Sequence, residues 1–216
     1  MTTEPASLDA GYQFLRECGD PVMAGLVGRI GHLDHAARRR GRPDDAYGSL
    51  VRTIVGQQLS AKAARTIYAR LAALFGDRPP TPAELLAAGD EALREVGLSR
   101  QKIVYLRDLA AHVQSGELEL HALQELSDED VAREITAVNG LGRWSADMFL
   151  IFHLRRPNVL PVGDLGIRRA VERAYALPGL PDEDTLRAIS GPWRPHRTLA
   201  SLYLWESLDT DNAVPV

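Results

Sequence analysis

Apolar residues recur at spacings of three and four along almost all of this 216-residue chain, and no stretch sustains the period-two alternation of a half-buried strand. That pattern predicts an all-α protein. Helices are expected near 8–18, 20–39, 46–57, 61–75, 82–88, 90–96, 100–115, 120–125, 128–137, 143–153, 165–176, 183–189 and 195–208. Local chemistry agrees with the spacing. Thr81-Pro82-Ala83-Glu84 combines an N-cap threonine, a proline at the first helical position and a glutamate at the third. Ser127-Asp128-Glu129-Asp130 opens another helix in the same way, and Ser60 and Ser99 stand where N-caps belong. Gly76, Gly97, Gly116 and Gly140 fall where helices should stop. No linker rich in proline, glycine or serine interrupts the run.

Composition narrows the function classes. With 45% hydrophobic and 25% charged residues, the chain reads as a globular protein with a proper core. Its one cysteine, Cys18, excludes a disulfide framework and a cysteine-ligated iron–sulfur cluster within the chain. No apolar run approaches a membrane span, and "MTTEPASLDA" lacks the basic and apolar regions of a signal peptide. A cytoplasmic protein without membrane contact is expected. The net charge of −4 does not advertise a nucleic-acid partner, so any such partner must be read from local charge. Residues 133–173 carry seven arginines against four acidic residues, and "RRRGR" at 38–42 is a second basic knot, read as a solvated face. The acids gather in "SDED" at 127–130 and "PDEDT" at 181–185.

The stretch "VNGLGRWSADMFL" (138–150) says most about chemistry. Gly140-Leu141-Gly142 joins two amphipathic runs by a turn with no side chain over its glycines, and the next helix opens with backbone N–H groups that have no intrahelical acceptor. An anion can approach such a surface closely, and the helix dipole favours it there. With Arg143 alongside, a DNA phosphate is the expected anion. Backbone amides cannot read bases, so this contact would anchor a duplex without choosing a sequence. "VGLSRQKIVYL" (96–106) weakly echoes "NGLGRWSADMFL" (139–150). Gly97 alone reads as a helix stop, but through the echo Gly97 and Ser99 join Gly140, Leu141, Gly142 and Arg143 as candidate phosphate contacts.

"VNGLGRWSADMFLIF", followed 20 residues after Trp144 by Asp164 in "LPVGDLGIRRA", resembles the helix-hairpin-helix and Gly/Pro-rich-loop-Asp signature of the HhH-GPD superfamily of DNA base-excision glycosylases. "VRTIVGQQLSAKAARTIYARL" (51–71) and "GLSRQKIVYLRDLA" (97–110) resemble the AlkA-type 3-methyladenine DNA glycosylases II, in a short form without the extra N-terminal domain of longer relatives. The similarity runs from about residue 48 to 205, with four motifs in the family's order. It implies excision of alkylated bases, 3-methyladenine and 7-methylguanine, from damaged double-stranded DNA.

Residue by residue, the resemblance sharpens readings that the residues leave open. Asp164 before "LGIRRA" reads equally as an N-cap or as the carboxylate that stabilises oxocarbenium character at C1′ and orients the attacking water. The resemblance assigns it to catalysis while it also caps. Trp144 occupies the position where strand-nicking relatives carry a Schiff-base lysine, which implies water as nucleophile and an intact abasic product. Lys62 and Lys102 do not match that lysine's position. Trp144 also offers a π-face to a cationic base, with Trp193 as a second pocket aromatic and Met148 where relatives have another, which implies a more open pocket.

Gln57-Gln58-Leu59 falls at a break between helices. A flipped base leaves a gap, and either Gln58 or Leu59 is the candidate wedge that fills it. The resemblance further implies a monovalent cation, Na+ or K+, on the backbone carbonyls of Thr136, Val138 and Leu141, and no organic cofactor.

The expected architecture is two packed helical subdomains with the active-site cleft between them. One is a helical barrel at 46–155 that includes the helix-hairpin-helix at 128–153. The other combines 1–45 with 156–216 and carries the Asp164 loop. A monomer is expected. The rival classes are a glycosylase for oxidised or deaminated bases and a non-catalytic helix-hairpin-helix DNA-binding protein.

Overall fold

The computed structural model describes residues 4–33 and 41–211, and these are all-helical, with no strand among them. The chain divides into two compact units, Arg39–Arg155 and Met1–Arg38 together with Arg156–Val216.

The unit Arg39–Arg155 contains α3 (Ala46–Gly56), α4 (Ala61–Leu74), α5 (Pro82–Ala87), α6 (Asp90–Glu95), α7 (Arg100–Ser115), a 3-10 turn (Ala122–Glu125), α8 (Asp128–Thr136) and α9 (Arg143–Phe152). Its organising element is α3, which packs against α4, α7 and α9. Tyr47, Leu50, Val51, Ile54 and Val55 of α3 are all buried, the i, i+3, i+4, i+7, i+8 stripe of a helix that faces the core. In α9 the seven residues from Ser145 to Ile151 are buried without interruption, so that helix is enclosed rather than amphipathic. The caps stand as the local chemistry dictates. Ser60, Ser99 and Ser127 each accept a first-turn N–H, and Thr81 and Glu84 close a reciprocal capping box.

The other unit contains α1 (Glu4–Glu17), α2 (Pro21–Ile30), α10 (Leu165–Ala174), α11 (Glu183–Ile189), a 3-10 turn (Gly191–Trp193) and α12 (Arg197–Asp211). Its core joins Leu15, Met23, Val27, Ile167, Val171, Leu186, Trp193, Tyr203 and Leu204, all fully or almost fully buried. The helix expected over 20–39 ends early. Gly31 takes φ 74° and returns its N–H to Val27 O, which closes α2 at Ile30. The remainder of that span, 34–39, and most of the basic knot at 38–42 lie outside the described residues. The segment 120–125 is a single 3-10 turn rather than an α-helix, and α1 and α12 extend past their expected outer ends. Among the described residues, no helix is long and apolar enough to cross a membrane.

Candidate active site

The turn between α8 and α9 is built on Gly140, Leu141 and Gly142. Gly140 has φ 83°, and a Cβ placed on it would stand 2.1 Å from Cγ of Tyr105. Both the left-handed backbone and the aromatic ring packed on its Cα therefore demand glycine. Leu141 is buried and pins the turn to the core, while its N–H donates to Val138 O at 3.1 Å. Gly142 is the N-cap of α9, no side chain caps that helix, and open space surrounds the position a Cβ would take. The start of α9 thus has the bare, accessible character that an approaching anion requires.

Arg143 is paired within the protein. Its Nε donates to Asp147 Oδ1 at 3.0 Å, and its Nη1 donates to both oxygens of Glu129 at 3.1 and 3.0 Å. Asp147 is almost fully buried, so its negative charge needs this partner. Burial lowers the Arg143 pKa, but the hydrogen bonds and charges of Asp147 and then Glu129 outweigh it, and the net shift is upward. The guanidinium is thus held in place by two carboxylates, beside the backbone N–H groups that open α9.

Trp144, half-buried, stands in the first turn of α9, and Met148 one turn on is buried. Trp193 is not a pocket aromatic. It is fully buried in the core of the other unit, and its Nε1 donates to Asp20 Oδ2 at 2.8 Å. Sequence pattern could not separate the two readings of Trp193, since a tryptophan in a 3-10 turn serves packing or stacking equally well.

The turn between α3 and α4 carries Gln57, Gln58 and Leu59. Gln58 is exposed and held at φ 57°, the left-handed region that non-glycine residues rarely occupy. Such strain persists only where the surroundings impose it. Leu59 beside it is 38% exposed, unusual for leucine. Gln57 turns the other way: its Nε2 donates to Gly140 O at 2.7 Å and reaches Ser145 Oγ at 3.4 Å. Lys102 Nζ donates to Val55 O at 2.7 Å, one of the last carbonyls of α3. Burial pushes that ammonium below the ordinary lysine value. Lys102 is therefore a brace. Asp108 Oδ2 accepts the N–H of Asn139 at 2.8 Å. Gln57, Lys102, Tyr105 and Asp108 carried no functional assignment from sequence, and nothing in a linear pattern marks pairings made across 31 to 83 residues.

The second candidate anion contact is weaker. Gly97 is exposed at φ 107°, with Ile67 packed against the position of its missing Cβ, and Ser99 Oγ is spent capping α7.

In the other unit, Asp164 is the N-cap of α10. Its Oδ1 accepts the Ile167 N–H at 2.9 Å and the Trp205 Nε1–H at 3.0 Å. Two donors on one oxygen fix the plane of the carboxylate, and Trp205 is the orienting residue that sequence reading missed. Gly166 makes this approach possible, because a Cβ there would stand 3.0 Å from Asp164 Oδ1 and 3.2 Å from Trp205.

The carbonyls of Thr136, Val138 and Leu141 flank the α8–α9 turn. They are neutral, hard oxygens, the donor type that holds a monovalent cation. Val138 O, although it accepts the Leu141 N–H, keeps a second lone pair.

Comparison with known proteins meets this geometry. A Schizosaccharomyces pombe DNA-3-methyladenine glycosylase is 34% identical over 165 residues, covering 76% of this chain and 72% of that protein. A Bacillus subtilis relative, provisionally named a DNA-3-methyladenine glycosylase, is 31% identical over 76% of this chain, which spans 59% of that relative's length. A solved S. pombe 3-methyladenine DNA glycosylase in complex with abasic DNA superposes with a TM-score of 0.86 at 31% identity, covering 93% of this chain and 97% of that one. The family model described as HhH-GPD superfamily base excision DNA repair protein matches residues 51–195, and the chain belongs to that superfamily.

Proposed function

We propose that the protein is a monofunctional DNA glycosylase that hydrolyses the N-glycosidic bond of alkylated bases, 3-methyladenine and 7-methylguanine, in duplex DNA. The observation that carries the proposal is the Asp164 carboxylate, fixed through Oδ1 by Ile167 and Trp205. As the base departs with the electrons of its glycosidic bond, positive charge develops at C1′. A preorganised carboxylate stabilises that charge and orients the water that adds to C1′. Trp144 opens α9 where an amine would be needed for Schiff-base chemistry, and Lys102 is engaged with Val55 O. Water is then the nucleophile, and the strand stays intact. Trp144 also supplies the π-face for a cationic methylated purine.

The bare start of α9 grips a backbone phosphate, and the carbonyls of Thr136, Val138 and Leu141 hold a monovalent cation that adds positive charge there. Gln58, at the exposed tip of its turn, enters the gap left by the flipped base. The protein works as a cytoplasmic monomer on damaged duplex DNA, with no organic cofactor.

Single-turnover incubation with duplexes carrying methylated, oxidised or deaminated bases tests the reading. Free 3-methyladenine and 7-methylguanine should appear, with alkali-labile but unbroken strands. A borohydride-trapped protein–DNA adduct, or release of hypoxanthine or oxidised bases alone, would overturn it.

The wedge makes a separate prediction. Gln58→Gly should not lower the melting temperature, because relief of roughly 1 kcal/mol of left-handed strain offsets the extra chain entropy of glycine. Excision from a base-paired lesion should nevertheless fall about tenfold or more, and from a mismatched lesion by less, since the wedge offsets the cost of unpairing. Equal losses on both substrates would move the role to Leu59.

A further inference from the structure

The α3–α4 and α8–α9 turns of the unit Arg39–Arg155 are joined to each other by a direct hydrogen bond and through α7. Gln57 leaves the α3–α4 turn and donates to the carbonyl of Gly140, inside the α8–α9 turn. Helix α7 then contacts both turns along one edge. Lys102, Tyr105 and Asp108 follow at intervals of three, so they form one ridge that runs obliquely along α7. Lys102 holds Val55 O at the end of α3, Tyr105 packs its ring on the Cα of Gly140, and Asp108 holds the Asn139 N–H. The end of the helix that carries Gln58 and the turn that carries Gly142 are thereby tied to a single rigid rod.

Lys102 places a half-buried ammonium on one backbone carbonyl, a charge-assisted bond with defined length and direction. Gln57 reaches across 83 residues of sequence to a carbonyl whose own residue is already pinned by Tyr105. What such bonds define is distance.

We propose that Gln57, Lys102, Tyr105 and Asp108 are positioning residues that set the spacing between the Gln58 wedge and the phosphate grip at Gly140–Gly142. A base pair is then opened by one concerted fit of the duplex against two fixed points. This rests on the glycosylase reading, since the wedge and the grip are its parts. A wedge displaced by about 1 Å loses much of its effect, because positioning errors of that size are costly in a preorganised site. The loss should fall on lesions that are still paired, where unpairing must be driven, and spare mismatched ones.

The test uses the full chain with Lys102→Met, which keeps the aliphatic stem and removes the ammonium, and with Lys102→Arg, which restores a donor. Three quantities are measured: affinity for abasic-analogue duplex, single-turnover excision from paired and mismatched lesions, and fluorescence of 2-aminopurine placed opposite the flipped position. Lys102→Met should bind the abasic analogue within about twofold of wild type and lose about tenfold or more on the paired lesion, with the mismatched lesion spared. Its unstacking signal on the paired duplex should fall, and Lys102→Arg should recover most of it. Combined with Gln58→Ala, Lys102→Met should add almost nothing, because both changes remove one function. Equal losses on paired and mismatched lesions, or full additivity with Gln58→Ala, would make Lys102 merely structural and overturn the proposal.

Should Lys102→Met fail to fold, Asp108→Leu examines the opposite end of the rod by the same criteria. If the wild type released no base, the glycosylase reading would fall. The fluorescence arm would still decide the spacing claim, which stands if unstacking depends on Lys102 and falls if it does not.

Discussion

Asp164→Asn is expected to lose roughly a hundredfold or more of the single-turnover excision rate while melting at nearly the wild-type temperature. Asparagine retains an Oδ1 acceptor for both the Ile167 N–H and the Trp205 indole, so the cap and the ring contact survive. What disappears is the negative charge that the proposed mechanism places beside C1′, where the transition state is cationic. Affinity for abasic-analogue DNA should be retained, because the proposed phosphate contacts belong to the α8–α9 turn. Trp205→Phe keeps the ring but removes the donor that orients the carboxylate, and a smaller loss, about tenfold, is expected. The decisive pairing is thermal melting and excision on the same Asp164→Asn preparation. A folded variant that excises at the wild-type rate leaves Asp164 as a helix cap alone.

Asp20→Ala should cost about 3–5 kcal/mol of stability. The Asp20 carboxylate is buried and receives four donors: the N–H groups of Val22 and Met23 at 3.0 Å, the Trp193 indole at 2.8 Å and the Tyr175 hydroxyl. Alanine would strip the cap of α2 and strand an indole N–H and a phenol inside the core. Burial, reinforced by the hydrogen bond to Asp20, pushes the Tyr175 pKa upward, so that hydroxyl stays protonated as a donor. Small domains have only about 5–15 kcal/mol in total, so the variant should be near the edge of folding. Asp20→Asn, which keeps one acceptor, should fall between the two. Urea denaturation reads the effect as a lowered midpoint at constant m-value. A change under about 1 kcal/mol would show that the core reorganises around the missing carboxylate.

Both results probe interactions that differ in how visible they are from sequence. The cap of Asp164 on Ile167 spans three residues and was legible, as were the caps at Ser60, Thr81, Ser99 and Ser127. Helical periodicity is a local property too, and it predicted a helix at 46–57, where α3 lies. Trp205 on Asp164 spans 41 residues and Trp193 on Asp20 spans 173, and neither partner carries a mark of the other. Trp193 shows the consequence. Its residue type suited stacking, its place in the family's order suggested a pocket, and its burial in a core decided otherwise. Arg143 shows the same limit: a positive charge beside a bare helix start suggested a phosphate, and its pairing with the buried carboxylate of Asp147 is visible only in the structure.

What the sequence by itself determined is everything set within one or two helical turns: the all-α class, most helix spans and their caps, the glycine turn at 140–142, the Asp164 cap, and the motif order that places the chain in its superfamily. Only tertiary structure decided which polar side chain serves which backbone group, and so which residues hold the site rather than form it. The physical reason is range. Backbone geometry and capping are fixed by neighbours in sequence, whereas the partners of Gln57, Lys102, Asp20 and Trp205 are chosen by packing, once burial forces each polar group to find a mate.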